Sequence, residues 1–178
     1  SVMRELSLNV LDIAQNSVAA NSSLVTIEAR ENTAQNELML CVSDNGKGMT
    51  KEQLEAVRDP FFTTRTTRKV GLGVPLFKMA AEMTGGSFSI ESEVGKGTRT
   101  IAVFKTDNVD FTPLGDMTGT VVALITMNPQ MDFIYRFQKD EKLFELDTRE
   151  LRKILKDVSF SEPSIAQWLA EYVRENTS

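Results

Sequence analysis

Apolar positions along the first twenty residues keep the spacing of one helix face. Met3, Leu6, Val10 and Ile13 recur every three or four residues, which predicts a helix over 2–20. The same helix carries a second, wholly polar stripe of Glu5, Asn9, Asp12 and Asn16. At 100° per residue these four fall within about 60° of one another. Asn21-Ser22-Ser23 ends the helix, and the period then changes. LVTIEAR (24–30) alternates as a strand, and LMLCVSD (38–44) is a second strand, apolar enough to be central. TKEQLEAVRD (50–59) reads as a short helix with Thr50 as N-cap and Gln53 three residues later. A further helix is expected from about Val74 to Met83, with Pro75 in its first turn, where the missing N–H costs nothing. Gly85-Gly86 terminates it. SFSIESE (87–93) and TRTIAVFK (98–105), joined by the VGKG turn, form a hairpin.

Residues 1–105 therefore read as α-β-β-α-α-β-β. The expected class is α+β: a two-layer α/β sandwich with a mixed sheet and helices on one face, not a doubly wound fold. Residues 106–115 have the composition of a linker. After them a small α-β-β-α-α unit is expected over 116–178: a helix at about 116–127, a hairpin MDFIYRFQ/KLFELD, and helices at about 149–156 and 162–175. Phe133, Tyr135, Phe137, Phe144 and Leu146 alternate, so that hairpin buries one face. Trp168, Leu169, Tyr172 and Val173 form an apolar stripe on the last helix. The unit is either a packed core of its own or a surface that binds a partner or supports a lid.

Composition narrows the chemistry. The chain has 178 residues and a net charge of −5, which argues against bulk binding to nucleic acid or to an anionic membrane. No apolar run approaches the ~20 residues of a membrane span, and the first residues lack the shape of a secretory leader, so the expected location is the cytoplasm. The single cysteine, Cys41, sits in an apolar run and reads as a small buried thiol. There is no histidine. That removes His-ligated metal, Ser-His triads and histidine acid–base chemistry, and any phospho-accepting histidine within these residues.

Three motifs carry candidate chemistry, and each alone has an ordinary reading. In DNGKGM (44–49) an acidic side chain ends a buried strand, with glycines two and four residues on. Asp44 suits an exocyclic amine such as that of adenine; Asp-Asn-Gly is also a common turn. GLGV (71–74) places two glycines before a helix start, which suits phosphate; it is neither a Rossmann fingerprint nor a P-loop. On the first helix the Asn16 oxygen suits Mg²⁺, and Asp12, one turn earlier, could accept a proton from a nucleophile; a solvated helix face looks the same.

In this order, and with GKGT (95–98), the three motifs together resemble the GHKL superfamily of ATP-binding domains, shared by DNA gyrase B, Hsp90, histidine kinases and MutL. The resemblance covers residues 1–105. It implies a Bergerat fold, ATP and Mg²⁺ as cofactors, and roles for residues at matching positions. NSVAANSSLVTI (16–27) is similar to the N box, making Asn16 the Mg²⁺ ligand and Asp12 the catalytic carboxylate. Glu5 and Asn9 repeat the same spacing one register earlier; Asn16 fits better, being followed by a small residue and correctly distant from the strand at 24–30. DNGKGM resembles the G1 box, with Asp44 on the adenine amine, Gly46 and Gly48 shaping the pocket and Met49 touching the base. DPFF, with Phe62, resembles the F box. GLGVPLFKMA resembles the G2 box, with Gly71, Leu72, Gly73 and Val74 near the phosphates. TTRTTRK would be the ATP lid, with Thr63, Thr64, Arg65, Arg68 and Lys69 donating to and balancing the triphosphate. Thr98 matches the threonine that completes the adenine pocket.

The stretch between the glycine boxes is short and resembles the kinase branch. Three functions stay open: a kinase transferring the γ-phosphoryl group to a His or Ser of a partner protein in trans, an ATP-hydrolysing switch, and an anti-sigma-like regulatory binding module. Dimerisation is open as well.

Overall fold

The computed structural model describes residues 5–59 and 72–178. Helix α1 (Leu6–Ala19) is followed by strands β1 (Leu24–Asn32) and β2 (Glu37–Asp44) and helix α2 (Lys51–Arg58). Helix α3 (Gly73–Met83) leads into β3 (Ser87–Glu93) and β4 (Gly97–Lys105). Helix α4 (Met117–Met127), strands β5 (Asp132–Lys139) and β6 (Lys142–Asp147), and helices α5 (Thr148–Leu155) and α6 (Pro163–Thr177) complete the order. The Thr50–Gln53 capping box is present on α2, each side chain bonded to the other residue's backbone N–H.

The strands form one sheet in the order β3-β4-β2-β1-β5-β6. Every pairing is antiparallel except β1 with β5, which is parallel. The sheet is mixed and helices pack on it, as the α+β expectation requires. Cross-strand rows on the inward face are apolar through most of their length. Ala29, Leu40, Ala102 and Phe88 form one row, and Ile27, Val42, Thr100 and Ile90 the next. Leu6, Val10 and Ile13 of α1 and Val74, Phe77 and Ala81 of α3 pack onto them. Cys41 is buried but points to the other face, opposite Glu28 and Ile101.

Residues 116–178, drawn from the sequence as an appended unit, share this sheet and core. β5 extends the sheet at β1, and Val121, Leu124, Phe133, Tyr135, Leu169 and Val173 belong to the same apolar cluster as α1 and β1. The 106–115 segment is also tied in. Helix α1 has no side-chain cap at its start, and its first N–H groups would be orphans. Leu6 and Ser7 donate them instead to the carbonyls of Pro113 and Leu114, at 3.0 and 2.8 Å. Among the described residues no helix is long and apolar enough to cross a membrane.

Candidate functional site

The inward rows turn polar at one end of the sheet. The row after Ile27–Val42–Thr100–Ile90 is Val25, Asp44, Thr98 and Ser92. The buried stripe of α1 changes at the same level, because Ser17 takes the position after Ile13. A cavity of about 230 Å³ opens there. Its apolar wall is built by Ile13, Met49, Ala56, Val57, Val74 and Ile90, and Asn16, Ser17, Asp44 and Thr98 add polar groups. A mostly apolar cavity with a few convergent polar groups is the usual form of a small-molecule site.

Asp44 is held from several sides. One carboxylate oxygen accepts the Gly46 N–H at 2.9 Å and the Thr98 N–H at 3.3 Å. The other accepts the Ser17 hydroxyl at 2.5 Å. A carboxylate offers about four acceptor positions, so one more donor can be taken from the cavity. Ser92 organises the opposite wall. Its Oγ accepts the Met49 N–H at 2.8 Å, donates to the Gly97 carbonyl at 3.1 Å and lies 2.8 Å from the Thr98 hydroxyl. The 44–49 loop is pinned on both flanks. Asn45 accepts the N–H groups of Ser23 and Leu24, Lys47 donates to the Ala20 carbonyl, and Gly95 donates to the Lys47 carbonyl.

Two glycines are required by this closeness. Gly48 has φ +71°, and a Cβ there would lie 2.0 Å from the Glu93 carbonyl oxygen. Gly97 has φ +116°, with Asp44 O at the same distance from its would-be Cβ. Both conformations disfavour any side chain. Gly48→Ala is expected to lower stability by about 2–3 kcal/mol, through left-handed strain plus displacement of the β3–β4 turn; urea unfolding of the two proteins measures it.

Asn16, Asp44, Gly48, Met49, Val74 and Thr98 line this cavity together, and Gly46 bonds Asp44. Asp12 stands outside the cavity wall, against the start of α3; a Cβ on Gly73 would lie 3.3 Å from the Asp12 Cβ. Leu72 is exposed. Glu5 and Gly115 adjoin at the far end of α1, which separates the alternative Glu5/Asn9 register from the cavity. Phe62, Thr63, Thr64, Arg65, Arg68, Lys69 and Gly71 lie outside the described residues. Ser17, Ser92 and Gly97 were not singled out. The one signal the sequence carries for Ser17 and Ser92 is a hydroxyl interrupting an inward apolar stripe, Leu6-Val10-Ile13-Ser17 and Phe88-Ile90-Ser92.

Residues 1–108 match the family model described as histidine kinase-, DNA gyrase B- and HSP90-like ATPase. The sensor histidine kinase ZraS of Salmonella typhi is 37% identical over 73 residues, 41% of this chain and 15% of that protein. Sensor protein SrrB of Staphylococcus aureus is 36% identical over 101 residues, 54% of this chain and 17% of its own length. Sporulation kinase E of Bacillus subtilis is 32% identical over 97 residues, 54% of this chain and 13% of its length. The matches thus span under a fifth of each relative. Among solved structures, the N-terminal domain of a DNA repair protein superposes with a TM-score of 0.54 at 14% identity, covering 80% of this chain and 51% of that one; this likeness is one of fold.

Proposed function

Because the chain belongs to the histidine kinase-, DNA gyrase B- and HSP90-like ATPase family over its first 108 residues, we propose that its cavity receives the adenine of ATP and that the bound nucleotide donates its γ-phosphoryl group to a partner protein. The observation that carries this reading is the carboxylate of Asp44 in an otherwise largely apolar wall. A flat heterocycle packs between Met49, Ile90 and Val74, and its exocyclic amine donates to Asp44. The ribose and phosphates then leave along α1, past Asn16 toward Asp12 and Gly73.

Magnesium fits the donor set in a limited way. Among the described residues no group of three His, Cys, Asp or Glu side chains is arranged for a metal. Asn16 offers one amide oxygen, which suits an ion that keeps its waters and shares substrate phosphates. Mg²⁺ would therefore arrive with the nucleotide, and its chemistry would be to neutralise charge on the phosphates. In this reading Asp12, one helical turn from Asn16, takes the proton of an attacking hydroxyl, imidazole or water. These residues contain no histidine, so a histidine acceptor would lie outside them.

The test is incubation with γ-labelled ATP and Mg²⁺, with and without cell extract, followed into protein and free phosphate. Label is expected in an extract protein, and Asp12→Asn is expected to lower its transfer about 10²–10⁴-fold, the usual size of a general-base contribution, with ATP affinity held within threefold. Free phosphate as the sole product would replace the kinase reading with an ATPase switch. Unchanged transfer by Asp12→Asn would remove Asp12 from the mechanism.

A further inference from the structure

We infer that Ser17 is a positioning residue for nucleotide selection: its hydroxyl fixes the rotamer of Asp44 so that the carboxylate meets the exocyclic amine of an adenine base. This rests on the proposed reading of the cavity as an adenine site. Ser17 is 3% exposed and donates to Asp44 across 27 residues of chain at 2.5 Å. Short hydroxyl–carboxylate bonds of this kind are charge-assisted and among the stronger ones.

The partition of bonds on Asp44 gives Ser17 a separate job. Gly46 and Thr98 both donate to one oxygen, so neither bonds the second. Ser17 is the donor to that second oxygen. It comes from the rigid helix and not from the glycine-bearing loop, so the carboxylate plane is referenced to α1. The helix position is otherwise one for packing: Ser17 continues Leu6, Val10 and Ile13. An alanine there would satisfy packing and helix propensity better. A hydroxyl at this position is therefore explained by its bond and not by the helix.

The consequence is confined to the base edge. Ser17→Ala is expected to weaken ATP about tenfold, the size of one hydrogen bond to a charged group. It should leave purine riboside triphosphate, which lacks the exocyclic amine, within twofold of wild type. Ser17→Thr restores the hydroxyl and is expected to recover at least half of the lost ATP preference. Equilibrium titration of the full chain with both nucleotides reads all three proteins. Equal weakening of both nucleotides by Ser17→Ala would mean a packing role, and an unchanged ATP preference would mean that Asp44 needs no help; either overturns the inference. Failure of the underlying adenine reading looks different, since wild type itself would then not prefer ATP over the amine-free nucleotide.

Discussion

Asp44→Asn is expected to weaken ATP binding about 100-fold and to narrow the preference over GTP. The wild-type carboxylate receives donors on both oxygens: Gly46 and Thr98 N–H on one, the Ser17 hydroxyl on the other. An asparagine has one oxygen, and the two backbone donors keep it on their side. Its NH₂ group then replaces the second oxygen, beside Ser17 and the cavity. The adenine amine would meet a donor where it had an acceptor. Loss of a hydrogen bond to a charged group is worth about 1.5–3 kcal/mol, and every 1.4 kcal/mol is tenfold in affinity. Guanine carries a carbonyl oxygen at that edge, so GTP improves where ATP is lost. Calorimetric titration of both nucleotides checks the prediction, and an unaltered ATP/GTP ratio would show that Asp44 does not read the base.

Removing residues 109–178 is expected to abolish cooperative folding, although the family match ends at residue 108. Strand β1 would lose β5, its parallel neighbour. Val25 and Ile27, each at most 1% exposed, would lose the cover of Phe133 and Tyr135. Helix α1 would lose its neighbour α4, and its first turn the two carbonyl partners. Fully burying one such side chain contributes about 1.5–3 kcal/mol, against a net stability of about 5–15 kcal/mol for a typical domain. Several losses together exceed that margin. Thermal unfolding followed by circular dichroism should give a sigmoidal transition for the full chain and none for 1–108. A sharp transition in the fragment would mean that the C-terminal elements are dispensable to the core.

The elements were legible because each is short, strongly patterned and bounded by its own turn chemistry. Thr50 and Gln53 marked the start of α2, and Gly85-Gly86 the end of α3. The cavity was legible through Asp44, Met49 and Thr98, which sit in motifs whose glycines announce a close approach. The parallel pairing of β5 with β1 left no local mark. Periodicity reports which face of a strand is buried, not which strand covers its edge, so Phe133 and Tyr135 read equally well as a separate small core. Ser17 and Ser92 were hidden differently. Each looks like a polar interruption of an apolar stripe, and only the cross-strand row Asp44–Thr98–Ser92 together with the Ser17–Asp44 bond reveals that the interruptions coincide in space.

The base-reading role of the cavity is tested most directly by titrating the intact chain with ATP and with GTP, in Mg²⁺, under identical conditions. One ATP should bind per chain, with GTP at least about 100-fold weaker, because the Asp44 carboxylate accepts from an amine and repels a carbonyl oxygen. Equal binding of the two nucleotides, or no binding of ATP, would contradict it.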